Sequence, residues 1–454
     1  MSALPDGFRI TLDRETRELA PGVWAGGSPM RVVRLTPAGR VVWRRLETGP
    51  VDSRAAATLA RHLTDAGLAH PCPPPVPAGA ADVTIVVPVR DRAPLLDRCL
   101  AALAGPYPVV VVDDGSADPE AVAAVVAAHG AKLVRRSVNG GPSAARNTGL
   151  DHVTTELVAF VDSDSVPSPG WIDRLVGHLA DPMVAAVAPR ITAVAGQPSL
   201  DMGDQPARVA PNTRVSYVPT AALVTRRSAL QAVTGFDPAM RVGEDVDLVW
   251  RLHIAGWRIR YDPAVQVSHH EPTTWPARLA RRLSYGTSAA PLAVRHPRFI
   301  PALVLDPWPA MTLAALLARR PVAAGAAFAL SVLSTNRSLR AHDVPSSGVV
   351  RVRATAVART WLGVGRYATQ YATPLLLGLL LAGGRGCWGR RAAVASLLLG
   401  PPLAAWATRR PATDPISFAT LALADDVAYG AGVWAGCVRH RTITPLRPTV
   451  KRPT

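Results

Sequence analysis

The sequence lacks the closely spaced cysteines whose disulfide bonds stabilise small secreted domains. Its four cysteines are widely separated and form no C-x-x-C pair: Cys72, Cys99, Cys387 and Cys437. This spacing argues against a disulfide framework and against a cysteine-bound zinc ion. Residues 1–13 also lack the apolar core of a signal peptide. We therefore expect the catalytic part of the protein to be cytoplasmic.

Lysine is nearly absent, since it occurs only at Lys132 and Lys451, and arginine carries almost all of the positive charge. The formal net charge of +17 calls for an anionic partner. Nucleic acid is not expected, because the sequence contains no nucleic-acid-binding module and no strip of interleaved basic and aromatic residues. Phosphorylated substrates or an anionic membrane surface agree better with a C-terminal part that combines arginine clusters with apolar stretches.

A chain of 454 residues exceeds what one hydrophobic core usually holds, so we expect two or three domains. The proline-rich segment 71–80 predicts a semi-rigid linker. This linker separates a small domain, residues 1–70, from a larger α/β domain, residues 81–296. A helical and apolar region, residues 297–454, follows.

Long apolar runs are also missing from residues 297–454. No unbroken run reaches the roughly 18 residues that a membrane-spanning helix needs. Arginine pairs flank the apolar stretches, which favours association with the cytoplasmic face of the cell membrane. An all-helical soluble domain with a buried core is the alternative.

The small domain begins with three predicted strands, at residues 9–13, 23–27 and 30–35, and two predicted helices follow. This order predicts a winged-helix-like unit. Residues 35–43, with the sequence LTPAGRVVW, resemble the peptide-recognition domains of the PqqD-like type. The resemblance implies that the domain recognises a peptide, and a purely structural domain is the alternative.

The larger domain contains apolar strands that alternate with helices. Strands are predicted at residues 83–89, 109–112, 132–134 and 157–161. Continuously apolar strands with helices between them predict a mostly parallel sheet that is covered on both faces. Ligands of such sheets bind beyond the carboxyl ends of the strands, which directs attention to the residues that follow each strand.

Polar motifs stand at three of these strand ends. Pro88 and Asp91 end the first strand, Asp113-Asp114-Gly115-Ser116 ends the second, and Asp162-Ser163-Asp164 follows the fourth. Two carboxylates at positions i and i+2 can converge on Mg²⁺ or Mn²⁺, which then neutralises a diphosphate. An isolated D-x-D is usually a solvated turn, but three such motifs at successive strand ends indicate a binding site.

These motifs, together with Gly140–Asn147, resemble the nucleotide-sugar half of the family 2 (GT-A fold) glycosyltransferases. The resemblance implies that Asp91 and Asp114 contact the nucleoside, that Arg146 lies near the diphosphate, and that Asp162 and Asp164 bind the ribose and a divalent metal. The set expected to bind the nucleotide sugar is therefore Pro88, Asp91, Asp114, Arg146 and Asp162 from the resemblance. Arg281 and Arg282 join it because guanidinium groups of a basic segment can hold the leaving diphosphate.

The second half of the domain resembles the acceptor side of the same family in Gly235-Phe236-Asp237, Gly243-Glu244-Asp245 and Gly256-Trp257. The resemblance implies that Asp245 is the general base of an inverting transfer and that His269 completes the metal site. Simple alternatives exist for each: Asp245 can cap a helix, His269 can be a core histidine, and Arg281 with Arg282 can belong to a solvated or membrane-facing basic helix.

The combination of these parts is similar to the mycofactocin-system subgroup of that family. This similarity implies transfer of glucose from UDP-glucose to a peptide-derived redox cofactor precursor, pre-mycofactocin, building a β-1,4-linked oligosaccharide. Two alternatives remain open at this stage. One is a cell-wall or lipid-linked glycosyltransferase at the membrane, and the other is a non-catalytic protein that binds a nucleotide sugar or a peptide.

Overall fold

The computed structural model describes residues 2–194, 198–300, 303–339, 346–384 and 387–450. The chain divides into two compact units. One comprises residues 1–18 and 22–273, and the other comprises residues 19–21 and 274–454. The domain boundaries proposed from the sequence, at residues 70, 80 and 296, stay predictions.

Residues 9–72 contain five short strands and two helices: β1 Arg9–Leu12, β2 Arg17–Ala20, β3 Val23–Gly26, β4 Arg31–Arg34, α1 Pro37–Thr48, α2 Arg54–Ala66 and β5 Ala69–Cys72. β1 pairs with β5, and β2, β3 and β4 form a second sheet. The order of strands followed by two helices agrees with the prediction. Strands β2 and β5 were not predicted. The winged-helix class stays a prediction.

Local capping explains the bounds of these helices. The Thr36 hydroxyl accepts a hydrogen bond from the Gly39 amide (3.0 Å) ahead of α1, and the Ser53 hydroxyl accepts one from Ala56 ahead of α2. α2 ends at Gly67, whose φ of 75° is the left-handed conformation that glycine adopts without strain. The apolar faces of both helices pack on a core that includes Phe8.

The rest of the first unit is an α/β domain with the following elements: β6 Val83–Val89, α3 Ala93–Ala102, β7 Val109–Asp114, α4 Pro119–Ala128, β8 Lys132–Arg136, α5 Pro142–Asp151, β9 Leu157–Val161, β10 Ser165–Pro167, α6 Trp171–Val176, β11 Val184–Ala193, β12 Ala207–Val209, β13 Ala222–Arg226, α7 Arg227–Ala232, α8 Glu244–Ile254 and β14 Arg258–His269. The four strands predicted from the sequence are β6, β7, β8 and β9. Each is found at its predicted place.

These strands form one sheet in the order β10-β14-β11-β13-β9-β6-β7-β8, with β12 on β14. β9, β6, β7 and β8 are parallel neighbours, which confirms the predicted α/β class. β13 pairs antiparallel with both β9 and β11 and joins the predicted half to the rest. The central strands are apolar because the sheet is buried: Val86, Val111 and Phe160 have no exposed surface.

The second unit is helical: α9 Trp275–Thr287, α10 Ala289–Arg295, α11 Pro307–Leu317, α12 Pro321–Leu339, α13 Ser346–Leu381, α14 Cys387–Arg409 and α15 Pro415–Arg439, with β15 Val304–Leu305 beside β16 Thr449–Val450. α9 and α15 pack backbone to backbone. A Cβ atom at Gly432 would lie 1.9 Å from the Leu283 carbonyl oxygen, and one at Gly286 would lie 2.1 Å from that of Tyr429. Only glycine permits this approach.

Within the described parts of the chain, α15 is the one helix whose length and composition would allow it to cross a membrane. Its sequence contains Asp425 and Asp426. A helix of this kind is weak evidence for a membrane span, because core helices of soluble proteins have the same length and composition.

Candidate active site

A cavity of about 470 Å³ opens at the carboxyl ends of β6, β7 and β9, where ligands of parallel sheets bind. Five of the predicted site residues line it: Pro88, Asp114, Arg146, Asp162 and Asp164. Asp91 stands between two lining residues, Arg90 and Arg92, and Asp245 follows the lining residue Glu244. Residues from five separate stretches of the chain therefore meet at one edge of the sheet.

Asp114 orders the loop that precedes α5. Its Oδ1 accepts hydrogen bonds from the amide of Gly140 (3.0 Å) and from Nε of Arg136 (2.8 Å), and its Oδ2 accepts one from the amide of Gly141 (2.7 Å). Gly141 has a φ of 86°, which favours glycine at this turn. The N-terminus of α5 then borders the cavity through Pro142, and helix N-termini favour phosphate groups.

Arg146 joins the two halves of the site. The side chain is 3% exposed, and Nη2 lies 2.6 Å from Asp162 Oδ1 while Nη1 lies 2.9 Å from Glu244 Oε1. Its guanidinium also lies over the Phe236 ring, 5.4 Å from the centroid. Burial alone would lower the pKa of Arg146, but the carboxylates of Asp162 and Glu244 outweigh burial and raise it. Arg146 therefore stays charged and holds both carboxylates in place.

Asp91 makes backbone contacts rather than contacts with the other acidic residues. Its amide donates to the Ser116 hydroxyl (2.7 Å), and its Oδ1 accepts from the Ala117 amide (2.8 Å). These bonds connect the end of β6 to the turn after β7. The expected contact between Asp91 and the nucleoside stays a prediction.

Asp164 and His269 are brought together by the antiparallel pairing of β10 with β14, in which Ser165 lies opposite His269. His269 Nε2 lies 3.4 Å from Asp164 Oδ1, and its Nδ1 lies 3.4 Å from Glu271 Oε1. Burial lowers the pKa of His269, but Asp164 and Glu271 together raise it to about 9. Burial raises the pKa of Glu271, and hydrogen bonds with His269 and Ser199 lower it to about 2.

A divalent cation fits this pair of side chains only in part. Among the residues that the structure describes, no group of three or more His, Cys, Asp or Glu side chains is arranged to hold a metal ion. Asp164 and His269 offer one carboxylate and one imidazole, both more than nine-tenths buried. Mg²⁺ is commonly held by one or two carboxylates while substrate phosphates and water supply its other ligands. The two residues fit a cation that arrives with a diphosphate.

Asp245 lies in the first turn of α8, and its Oδ1 accepts a hydrogen bond from the amide of Val246 (2.8 Å). Burial and the neighbouring Glu244 carboxylate raise its pKa to about 7. A carboxylate with a pKa near neutrality can accept a proton from a hydroxyl group at physiological pH. The geometry is compatible with the predicted role of Asp245, which stays a prediction.

Arg281 and Arg282 lie on α9, in the second unit. Within that unit Arg282 Nε lies 2.8 Å from Asp425 Oδ2, and its guanidinium lies over the Tyr429 ring. Their expected contact with the diphosphate stays a prediction.

Three residues near the predicted site were missed by the sequence analysis: Arg92, Glu244 as a partner of Arg146, and Glu271. Arg92 Nη1 lies 2.7 Å from Asp164 Oδ2. Each of the three stands within two residues of a predicted one, which was a usable signal. Which carboxylate pairs with each basic side chain depends on contacts between residues far apart in the chain. These pairings could not be predicted from the sequence.

Comparisons with known proteins match the chain to glycosyltransferases. The family described as Glycosyl transferase family 2 matches residues 84–228, and the family described as Glycosyl transferase family group 2 matches residues 157–399. The chain is 41% identical, over 99% of both proteins, to a pre-mycofactocin glycosyltransferase of Mycobacterium tuberculosis. It is also 30% identical to an N-acetylglucosaminyl-diphospho-decaprenol L-rhamnosyltransferase of the same organism, over 42% of this chain and 76% of that protein.

Among solved structures, the chain resembles a mannosyltransferase from Pyrobaculum calidifontis in complex with GDP-Man and Mn²⁺. The TM-score is 0.44 at 20% sequence identity, and the match covers 78% of this chain and 89% of that one.

Proposed function

Since the chain belongs to the family 2 glycosyltransferases, we propose that it transfers glucose from UDP-glucose to a peptide-derived redox cofactor precursor, pre-mycofactocin. The enzyme class follows from the family. The acceptor is proposed because the Mycobacterium tuberculosis relative, which is similar over 99% of both chains, carries that name. UDP-glucose as the donor and a β-1,4 linkage in the product are proposed from the sequence similarity to the mycofactocin-system subgroup.

The observation that carries the proposed mechanism is the position of Asp245 in the first turn of α8, directly after Glu244, which lines the cavity with Asp114, Asp162 and Asp164. Burial and the Glu244 carboxylate also raise the pKa of Asp245 to about 7. We assign Asp245 as the base that removes the proton from the acceptor hydroxyl while the hydroxyl oxygen attacks the anomeric carbon. The bond to the nucleoside diphosphate breaks on the opposite face, so the configuration inverts. No covalent enzyme intermediate is needed.

Charged side chains of this cavity position the two substrates. Asp114 fixes the loop Gly140-Gly141, and Arg146 fixes Asp162. Asp164 and His269 would hold the divalent cation, Mn²⁺ or Mg²⁺. When bound, such a cation neutralises the charge that develops on the leaving diphosphate. We assign Arg281 and Arg282 to the same diphosphate, because guanidinium groups match the geometry of phosphate oxygens.

Residues 1–70 are proposed to recognise the peptide part of the acceptor. A cavity of about 760 Å³ in this part is lined mainly by apolar side chains from β4, α1 and α2, with Arg34, Arg54 and His62 among the lining residues. The edge strand β4 borders it. Such a groove suits an extended peptide that carries apolar and acidic side chains.

The test is the mass of the product after incubation of the protein with UDP-glucose, Mn²⁺ and the precursor. We expect successive additions of one hexose, and no addition when the cation is removed with a chelator. Free glucose in place of the precursor serves as the control acceptor. Transfer only to a lipid-linked acceptor would replace this proposal with the cell-wall alternative, and donor binding without any transfer would favour a non-catalytic protein.

We also propose that the protein associates with the cytoplasmic face of the membrane through residues 297–454. This region has 19 arginine and lysine residues against five aspartates and no glutamate. Most of the large apolar side chains that are exposed among the described residues belong to the second unit, including Val322 (85%), Leu381 (81%) and Trp388 (80%). Exposed apolar side chains beside arginines suit an anionic lipid surface.

We expect the protein to float with vesicles that contain phosphatidylglycerol and not with phosphatidylcholine vesicles, and to be released by salt. Replacing Val322, Leu381 and Trp388 by Ser should reduce the bound fraction several-fold. Val138→Ser, which removes an exposed side chain (72%) from the first unit, is the matched control. Flotation that is unaffected by the triple substitution would rule out these side chains as the membrane contact.

A further inference from the structure

Arg92 is a basic side chain that contacts one of the proposed cation ligands, Asp164. Its Nη1 lies 2.7 Å from Asp164 Oδ2, on the carboxylate whose other oxygen lies 3.4 Å from His269 Nε2. The Asp164 side chain is 9% exposed, whereas that of Arg92 is 51% exposed. A buried carboxylate is therefore paired with a guanidinium that can move, because solvent lies on its other side.

The backbone directs Arg92 to this place. Asp91 and Arg92 have φ values of 58° and 60°, in the left-handed region that residues other than glycine rarely adopt. The two hydrogen bonds of Asp91 with Ser116 and Ala117 hold this turn. Uncommon backbone conformations of this kind persist when the surrounding structure fixes them, and they are frequent at functional sites. Arg92 is then the first residue before α3, and its side chain lines the cavity.

A divalent cation and a guanidinium on one carboxylate repel each other. A cation bound by Asp164 therefore weakens the Arg92–Asp164 ion pair and favours its release. Because Arg92 lines the same cavity, the displaced guanidinium stays within the space that the donor would fill. A guanidinium matches the geometry of phosphate oxygens and stays charged at every physiological pH.

We propose that Arg92 is an exchangeable counter-cation. It neutralises Asp164 in the ligand-free enzyme and moves to the donor diphosphate when a divalent cation takes its place. The inference rests on the proposed function, because it needs the cation at Asp164. It has a consequence for binding: the cation alone binds weakly, because it must displace Arg92, and cation and nucleotide bind more tightly together than either does alone.

The test measures binding of Mn²⁺ alone, and of UDP at saturating Mn²⁺, by calorimetry. For Arg92→Gln we expect the affinity for Mn²⁺ alone to rise about ten-fold and the affinity for UDP to fall about ten-fold, each about 1.4 kcal/mol. Arg92→Lys should stay closer to the wild type in both measurements. Arg90→Gln is the matched control: Arg90 lines the same cavity and is similarly exposed (54%), but its ion-pair partner is Asp91, at 3.8 Å. It should change neither affinity more than about three-fold.

Opposite changes of the two affinities are the signature of exchange. A loss of both affinities in Arg92→Gln would indicate a merely structural residue, and equal shifts in Arg90→Gln would indicate a general charge effect. Either result, or an unchanged affinity for Mn²⁺ alone, would overturn the inference while leaving the proposed function intact. Hexose transfer by a wild-type enzyme that binds no Mn²⁺ would overturn both the cation site and the inference. Mn²⁺ binding without hexose transfer to any acceptor would instead refute the proposed function.

Discussion

Asp245→Asn is expected to lower kcat by about 100- to 10,000-fold, the range that a positioned general base contributes. Asparagine preserves the size of the side chain but cannot accept the proton of the acceptor hydroxyl. Binding of UDP-glucose should change little, because the donor cavity is lined by Asp114, Asp162 and Asp164 rather than by Asp245. Steady-state kinetics for kcat and calorimetry for donor affinity separate the two effects.

The pH dependence of the same reaction is a second part of this expectation. Burial and Glu244 raise the pKa of Asp245 to about 7, while the Val246 amide and Arg146 oppose that rise. Below this pH the carboxyl is protonated and cannot act as a base, so kcat should fall as the pH drops through about 7 and level off above it. Asp245→Glu retains a carboxylate and serves as the control. Turnover at the wild-type rate in Asp245→Asn would refute the assignment of the base.

Asp181→Ala is expected to destabilise the first unit by about 3–5 kcal/mol, the cost of leaving one member of a buried ion pair unpaired. Arg61 Nη1 on α2 lies 2.7 Å from Asp181 Oδ2, and both side chains are 1% exposed. Arg61 also donates to the carbonyl oxygens of Ser2 and Ala3, at 3.0 Å each. Without Asp181 its charge stays buried, because these bonds hold the guanidinium in place.

Arg260 increases the loss of stability that we expect for Asp181→Ala. It is 2% exposed, and its three guanidinium nitrogens have no hydrogen-bond partner among the residues that the structure describes. Burial lowers the pKa of Arg260 to about 10, while Asp65 and Asp181 oppose that change. Asp181 is therefore a counter-charge to more than one buried arginine.

The measurement is urea denaturation, followed by tryptophan fluorescence. Asp204→Ala is the matched control, because the Arg14–Asp204 pair joins the same two parts of the unit but its side chains are 73% and 64% exposed. That substitution should cost about 1 kcal/mol or less. Equal stability losses in the two variants would show that burial of the Arg61–Asp181 pair is unimportant.

The sequence predicted the donor half of the fold well for a physical reason. The four parallel strands, β6 to β9, belong to one buried sheet. Each is therefore a continuous apolar run whose first and last residues can be predicted from the sequence. Their parallel order then brings Pro88, Asp114 and Asp162 to one edge. β13 was not predicted, because residues 222–226 are a short apolar stretch whose antiparallel place between β9 and β11 depends on pairing rather than on composition.

By itself, the sequence determined which carboxylates follow the parallel strands, because strand and turn propensities act over a few neighbouring residues. Only the tertiary structure decided which basic side chain pairs with each carboxylate. Asp164 lies beside His269 because β10 pairs with β14, and Arg146 binds both Asp162 and Glu244. Asp181 pairs with Arg61 where the N-terminal part contacts the α/β domain. Such contacts join residues far apart in the chain, and their energies depend on burial, which local sequence does not specify.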